Sequence, residues 1–400
     1  MPNTKLSLLE SFNKKLNLVQ PSAIRAFDNE VSDIPDILKL TLGEPDFDVP
    51  EHIKKAAIAS IQNNDSHYAA SNGTIALRKA ASHFLRDRYD LEYNPNNEII
   101  VTVGASEGIY TVLTSLLNEG DKVLLPTPIF PLYIPVTLVG GGEPVFIDTS
   151  ANDFVLSPDM LKAAIAEHGD KIKAIVLNFP SNPTGVTYSE EDIKALADVL
   201  SETNIVVISD EIYSELTYSR KHVSMAKYLP EQTLLLNGVS KSHAMTGYRI
   251  GLLAGPAELI NKLSLIHQFT ITTATNSAMA AAAEALGTEA GRQDSLDMKV
   301  EYEARRNFVY QEMTELGFKI PKPDGAFYIF AKIPTFDNKL ADDFAFARDL
   351  AYKNKLAVIP GSAFGPGGEG YIRISYAASM DNLIEAMKRL SSYIKEINHG

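Results

Sequence analysis

From about Glu98 to about Leu286, short apolar runs alternate with amphipathic stretches. The apolar runs predict strands at Glu98–Val103, Lys122–Leu125, Pro144–Ile147, Ile172–Phe179, Ile205–Ser209, Thr233–Asn237 and Ile250–Ala254. Several are continuous rather than alternating, IVVIS for example, which suits strands covered on both faces. Between them, Ser106–Asn118, Ser157–His168 and Ser189–Ser201 have helical spacing, and Ser157-Pro158 and Ser189-Glu190 supply N-cap chemistry. The alternation predicts an α/β fold built on a mostly parallel, doubly wound seven-stranded sheet flanked by helices.

Beyond the sheet the pattern changes. A long helical region runs from Pro256 to Gly317 with a break near Gly287–Gly291. Short strands follow at Ala326–Phe330, Ala357–Ile359 and Tyr371–Ser375, with helices at Ala341–Asn354 and Met380–Ile397. The tail reads as a smaller α+β domain. The expected division is a large domain over 46–286 and a small one made of 1–45 and 287–400. Residues 1–45, which contain a helix candidate at Lys5–Leu16, are expected to pack against the tail rather than the sheet.

Composition narrows the chemistry. The chain has 400 residues and no cysteine, which removes disulfides, thiolate catalysis and cysteine-based metal sites. Its eight histidines have no zinc-site spacing, so no metal is expected. With 37 basic and 50 acidic side chains the net charge is −13, which argues against nucleic acid or an anionic membrane as the main partner. Neither a signal peptide nor an apolar run long enough to span a bilayer is evident, so a cytoplasmic protein is expected.

Four segments carry candidate chemistry. At Gly104-Ala105-Ser106-Glu107-Gly108 a strand turns into a helix, which aims free backbone N–H groups at an anion such as phosphate. The same residues match the G-x-S-x-G elbow of serine hydrolases, and a plain turn is the third reading. Asn178-Phe-Pro-Ser-Asn182-Pro183-Thr-Gly185 ends a buried strand, where ligands of parallel sheets bind; Asn182–Pro183 is a candidate cis bond. Asp210, in Ser-Asp-Glu-Ile-Tyr213, is either a turn residue or a buried carboxylate facing a pyridinium nitrogen. Lys241, in Ser240-Lys-Ser-His-Ala-Met-Thr-Gly-Tyr-Arg249-Ile-Gly, follows an apolar strand, and nearby cationic charge with desolvation would lower its pKa.

Taken jointly, Ser-Asn-Pro-Thr-Gly, Asp-Glu-Ile-Tyr and Ser-Lys-x-x-Ala-Met-Thr-Gly-x-Arg-Ile-Gly resemble the class I/II aminotransferases of the aspartate-aminotransferase fold (fold type I). The likeness runs from Gly43-Glu-Pro-Asp-Phe to Tyr371-Ile-Arg373-Ile-Ser. Bacterial members with aromatic or broad donor preference are the most similar. The resemblance implies a transaminase that uses pyridoxal 5'-phosphate, alternating with pyridoxamine phosphate. Lys241 would hold the cofactor as a Schiff base and move the α-proton, and Asp210 would pair with the ring nitrogen. Asn182 and Tyr213 would bond the ring's phenolic oxygen, and Phe130 would stack on the ring. Gly104, Ala105, Ser106, Ser240 and Arg249 would hold the phosphate, with Tyr68 reaching the neighbouring subunit's phosphate in a homodimer. For the substrate, Arg373 would grip the α-carboxylate with help from Gly43 and Asn182, and Phe364 would contact the side chain. Some relatives that prefer aspartate or glutamate as donor carry Lys where Ser106 stands. Its absence implies an aromatic or neutral donor, with 2-oxoglutarate as acceptor. A C–S β-lyase on the same cofactor is the alternative, and a hydrolase using Ser106 the remote one.

Overall fold

The computed structural model describes residues 3–335 and 342–399. All seven strands expected in the large sheet form, at Ile99–Thr102, Lys122–Thr127, Glu143–Asp148, Ile172–Asn178, Val206–Asp210, Thr233–Gly238 and Gly251–Ala254. The last of these lies between Ile99–Thr102 and Thr233–Gly238 and runs antiparallel to both. The other neighbours pair in parallel, with Glu143–Asp148 at one edge. The apolar runs are continuous because both faces are covered. Every residue of Ile99–Thr102, Thr233–Gly238 and Gly251–Ala254 is buried, whereas the edge strand is mostly not.

Helices start where the local chemistry provides for them. The Ser157 hydroxyl accepts the Met160 N–H at 3.2 Å, with Pro158 in the first turn. Ser189 and Asp192 form a reciprocal capping box. The first helix after the sheet's opening strand begins at Gly104, two residues before the expected start, and runs to Leu116.

The long helical region has two interruptions. Helices span Ala257–Thr270, Asn276–Gly287 and Glu289–Glu315. The break at 271–275 contains neither Gly nor Pro. Four of its five residues, Ile271, Thr272, Thr273 and Thr275, are β-branched, and Thr272 has φ 63°. In the tail, Tyr328–Lys332, Ile359–Pro360 and Tyr371–Ser375 form an antiparallel three-stranded sheet. The preceding helix is Asp343–Asn354; Ala341, where it was expected to begin, lies outside the described residues. Met380–His399 closes the chain.

The N-terminal stretch divides its packing. Phe27 and Val31 of the helix Ala23–Ser32 join the core of the tail, and Leu38–Lys39 pairs with Leu356–Ala357. The expected helix over Lys5–Leu16 is instead a short helix, Leu6–Leu9, and a 3₁₀ turn, Lys14–Leu18. That turn leans on the helix Tyr133–Gly140 beside the large sheet, and Lys15 pairs with Glu119 at 3.0 Å. The expectation that Lys5–Leu16 packs on the tail is therefore corrected.

Candidate active site

The carboxyl ends of the parallel strands open into one cavity of about 930 Å³. Val206–Asp210 ends in Asp210, Thr233–Gly238 leads to Ser240 and Lys241, and Ile172–Asn178 leads to Asn182. Phe130 follows Lys122–Thr127, and Ala105 and Ser106 follow Ile99–Thr102. The opposite wall comes from Gly43, Tyr328, Ser362 and Arg373, and from the stretch 18–25.

Lys241 is the amine at the centre. Its Nζ donates to the Gly43 carbonyl at 2.6 Å and lies 5.7 Å from the ring centres of Tyr213 and Phe327. Burial lowers its pKa to about 8; Arg249 and Arg373 push the same way, against Glu44 and Asp210. Asp210 is buried, and that burial raises its pKa to about 6. Its Oδ2 accepts the Tyr133 hydroxyl at 2.8 Å and its Oδ1 accepts the Ile212 N–H at 3.2 Å. Each oxygen retains further accepting capacity, and Asp210 lines the cavity, where a cation would relieve the cost of burial.

The Arg373 guanidinium is buried, and among the described residues no carboxylate contacts it. Nη1 donates to Asn182 Oδ1 at 2.9 Å, Nη2 donates to the Thr41 carbonyl, and Nε has no partner among the described residues. The rings of Tyr328 and Phe364 flank it, with centres 4.6 and 4.9 Å from its carbon. A buried charge left in this state is a receptor for an anion. Asn182 is fixed by its N–H to Asn178 Oδ1 at 2.9 Å, and the bond to Pro183 is cis. The Tyr213 and Tyr328 hydroxyls share a 2.7 Å hydrogen bond, and burial raises the Tyr213 pKa well above its ordinary value.

At the turn, Gly104 has φ +72°, and any side chain there would collide with the Arg249 guanidinium packed over it. The first-turn N–H groups and that guanidinium therefore form a cradle suited to a dianion. Behind it, Glu107 accepts from the Thr111 hydroxyl at 2.6 Å and from the Val103 N–H at 3.2 Å. His267, fully buried, bridges Glu107 at 3.1 Å and the Ser71 carbonyl at 2.8 Å.

Two residues expected at the site stand apart. Phe364 is fully buried beneath Arg373 and does not line the cavity, whereas its neighbours Ser362, Ala363 and Gly365 do. The expected contact with the substrate side chain is corrected to support of the arginine. Tyr68 is 85% exposed and outside the cavity of its own chain. Sequence reasoning missed Tyr133, Tyr328, Thr41 and the stretch 18–25. Tyrosines inside apolar runs give no signal of their own. No histidine lines the cavity among the described residues, so Ser106 lacks the histidine base of a Ser-His-Asp hydrolase.

A lysine amine, a buried carboxylate, an anion cradle and an unpaired arginine around one cavity define a site for a phosphorylated aldehyde cofactor and a carboxylate substrate. The chain belongs to the class I and II aminotransferases, whose family model matches residues 35–390. It is 40% identical to the probable N-acetyl-LL-diaminopimelate aminotransferase of Bacillus subtilis, over 96% of this chain and 95% of that protein. It is 38% identical to an aspartate aminotransferase of Pyrococcus abyssi, over 96% and 99%. Among solved structures, the aromatic aminotransferase from Pyrococcus horikoshii superposes with a TM-score of 0.86 at 36% identity, over 92% and 99% of the two chains. The chain is therefore an aminotransferase, and its cofactor is pyridoxal 5'-phosphate.

The lowered Lys241 pKa has a measurable sign. An amine captures an aldehyde only when unprotonated, and this one sheds its proton near pH 8 rather than 10.5. Capture of the cofactor by the apoprotein, followed by absorbance, will rise with pH and reach half its plateau near pH 8. A midpoint above pH 10 would contradict the desolvated amine.

Proposed function

We propose that this enzyme moves the amino group of an aromatic or otherwise neutral L-amino acid to a 2-oxo acid such as 2-oxoglutarate. The observation that carries the reading is the single cavity in which Lys241, Asp210 and the unpaired Arg373 meet apolar side chains. Leu18, Ile24, Ile109 and Phe130 all line it. No lysine stands at the first helical turn, where Ser106 sits.

Each residue then has a task. Arg373 holds the substrate α-carboxylate through a bidentate pair, while Asn182 and the Gly43 backbone fix its orientation. Lys241 would hold the cofactor until the substrate amine replaces it there; the freed Nζ would then take the proton from the substrate α-carbon and pass it to the carbon that receives the nitrogen. When bound, the cofactor supplies an electron-poor ring that stabilises charge on that carbon. Asp210, held by Tyr133, would keep the ring nitrogen protonated. Tyr213 and Asn182 would donate to the ring oxygen, and Phe130 would cover the ring face. Gly104, Ala105, Ser106, Ser240 and Arg249 would hold the phosphate. Tyr68 reaches the second site of a homodimer, a role that accords with its exposure in one chain. The large domain, 46–286, carries the cofactor side. The small one, 1–45 with 287–400, closes over the substrate and excludes water.

Single-turnover conversion of phenylalanine and aspartate by the cofactor-loaded enzyme tests the donor class. Phenylalanine is expected to react at least about tenfold faster, the discrimination given by burying a neutral side chain rather than an unpaired carboxylate. Aspartate reacting far faster would overturn the donor assignment.

A further inference from the structure

A carboxylate beside an anion cradle competes with the anion for the same positive end of the helix. Glu107 is such a carboxylate. It stands in the first turn of the helix Gly104–Leu116, next to Ser106, and its Oε2 accepts the Val103 N–H at 3.2 Å. Its side chain is only 10% exposed. Left charged in so little water, it would repel a dianion held by the N–H groups of the same turn.

His267, in the helix Ala257–Thr270, answers that charge. The ring is fully buried, with Nδ1 3.1 Å from Glu107 Oε1 and Nε2 2.8 Å from the Ser71 carbonyl. A carbonyl only accepts, so Nε2 carries a hydrogen there, and Nδ1 meets the carboxylate across a second proton. Imidazole and carboxyl together are then neutral. Ser71 lies three residues after Tyr68. On the other side of Tyr68 the Asn276 amide donates to the carbonyls of Asp65 and His67, at 2.8 and 2.7 Å. Tyr68 thus projects into solvent from a loop held on both sides.

We infer that His267 is a positioning residue that serves phosphate binding from two directions. It cancels the charge of Glu107 behind the cradle of its own chain, and it holds the loop that offers Tyr68 to the second subunit. Neither Glu107 nor His267 lines the cavity, so both act through other residues. Glu107 is useful to the turn because it also accepts the Thr111 hydroxyl at 2.6 Å; His267 removes the electrostatic cost of keeping it there. The inference rests on the phosphate and Tyr68 roles proposed above.

The test compares pyridoxal 5'-phosphate with pyridoxal, which lacks the phosphate, as ligands of the apoprotein, followed by absorbance. H267Q is expected to weaken the phosphorylated ligand about tenfold and to leave pyridoxal within about twofold, because a neutral amide cannot cancel a carboxylate. In H267Q/E107Q the charge is gone from both partners, and affinity should return to within about threefold of the parent. H267F also releases the Ser71 carbonyl, so Y68F should cost less in H267F than in the parent. Equal weakening of the two ligands, weakening of neither, or no recovery in H267Q/E107Q overturns the role of His267. An undiminished cost of Y68F in H267F overturns its hold on the loop. If the unaltered chain binds pyridoxal as tightly as its phosphate, the cradle itself falls, a failure separate from that of His267.

Discussion

Lys241→Ala will lower amino-group transfer by about 10,000-fold or more, because the proposed mechanism gives one amine two tasks and both are lost together. In that mechanism it would hold the cofactor and carry the proton between the substrate and the accepting carbon. No other lysine lines the cavity among the described residues, so no neighbour can stand in. The substitution removes a group whose burial already disfavours its charged form, so the fold should tolerate it. The decisive readout is borohydride reduction. Cofactor is fixed to the unaltered chain and not to the variant, while the variant still unfolds cooperatively. Activity within a hundredfold of the parent, or fixation at another lysine, would defeat the assignment.

Asp210→Asn should have the second largest effect, a loss of about 100- to 1000-fold in turnover, the scale set by removing one charge-stabilising group from a water-poor site. The amide keeps the shape of the carboxylate and can still accept the Tyr133 hydroxyl, so packing should survive. What is lost is the negative charge that, in the proposed mechanism, would face the ring nitrogen. Here borohydride will still fix the cofactor, because Lys241 is intact. Turnover within tenfold of the parent would show that the carboxylate charge is not used.

The parts legible in the sequence are those where one physical demand acts on adjacent residues. Strands covered on both faces must be continuously apolar, and the buried strands of the seven were readable on that ground. Lys241, Asp210 and Asn182 were readable because each ends such a strand or lies within a short turn after it. Partners brought from afar were not. Tyr133 reaches Asp210 across 77 positions, and Arg373 reaches Asn182 across 191. Nothing near either residue records that pairing. Glu211 shows the same limit beside a readable residue. Next to Asp210 in sequence, it faces away from the cavity, fully buried with Ser209, His222 and Ser224. Phe364 was misplaced because a loop has no fixed side-chain period, so its neighbours face the cavity while its ring packs under Arg373. The break at 271–275 was missed because β-branched residues end a helix less conspicuously than Gly or Pro.

The stretch 18–25, which forms one wall of the cavity, lies outside every strand of the large sheet. Substitutions there leave the reactive lysine and its carboxylate where they are, and they touch little of the interior that keeps the sheet folded. Selection can therefore alter the diet of such an enzyme by editing a few early codons, while the machinery that does the chemistry is inherited unchanged.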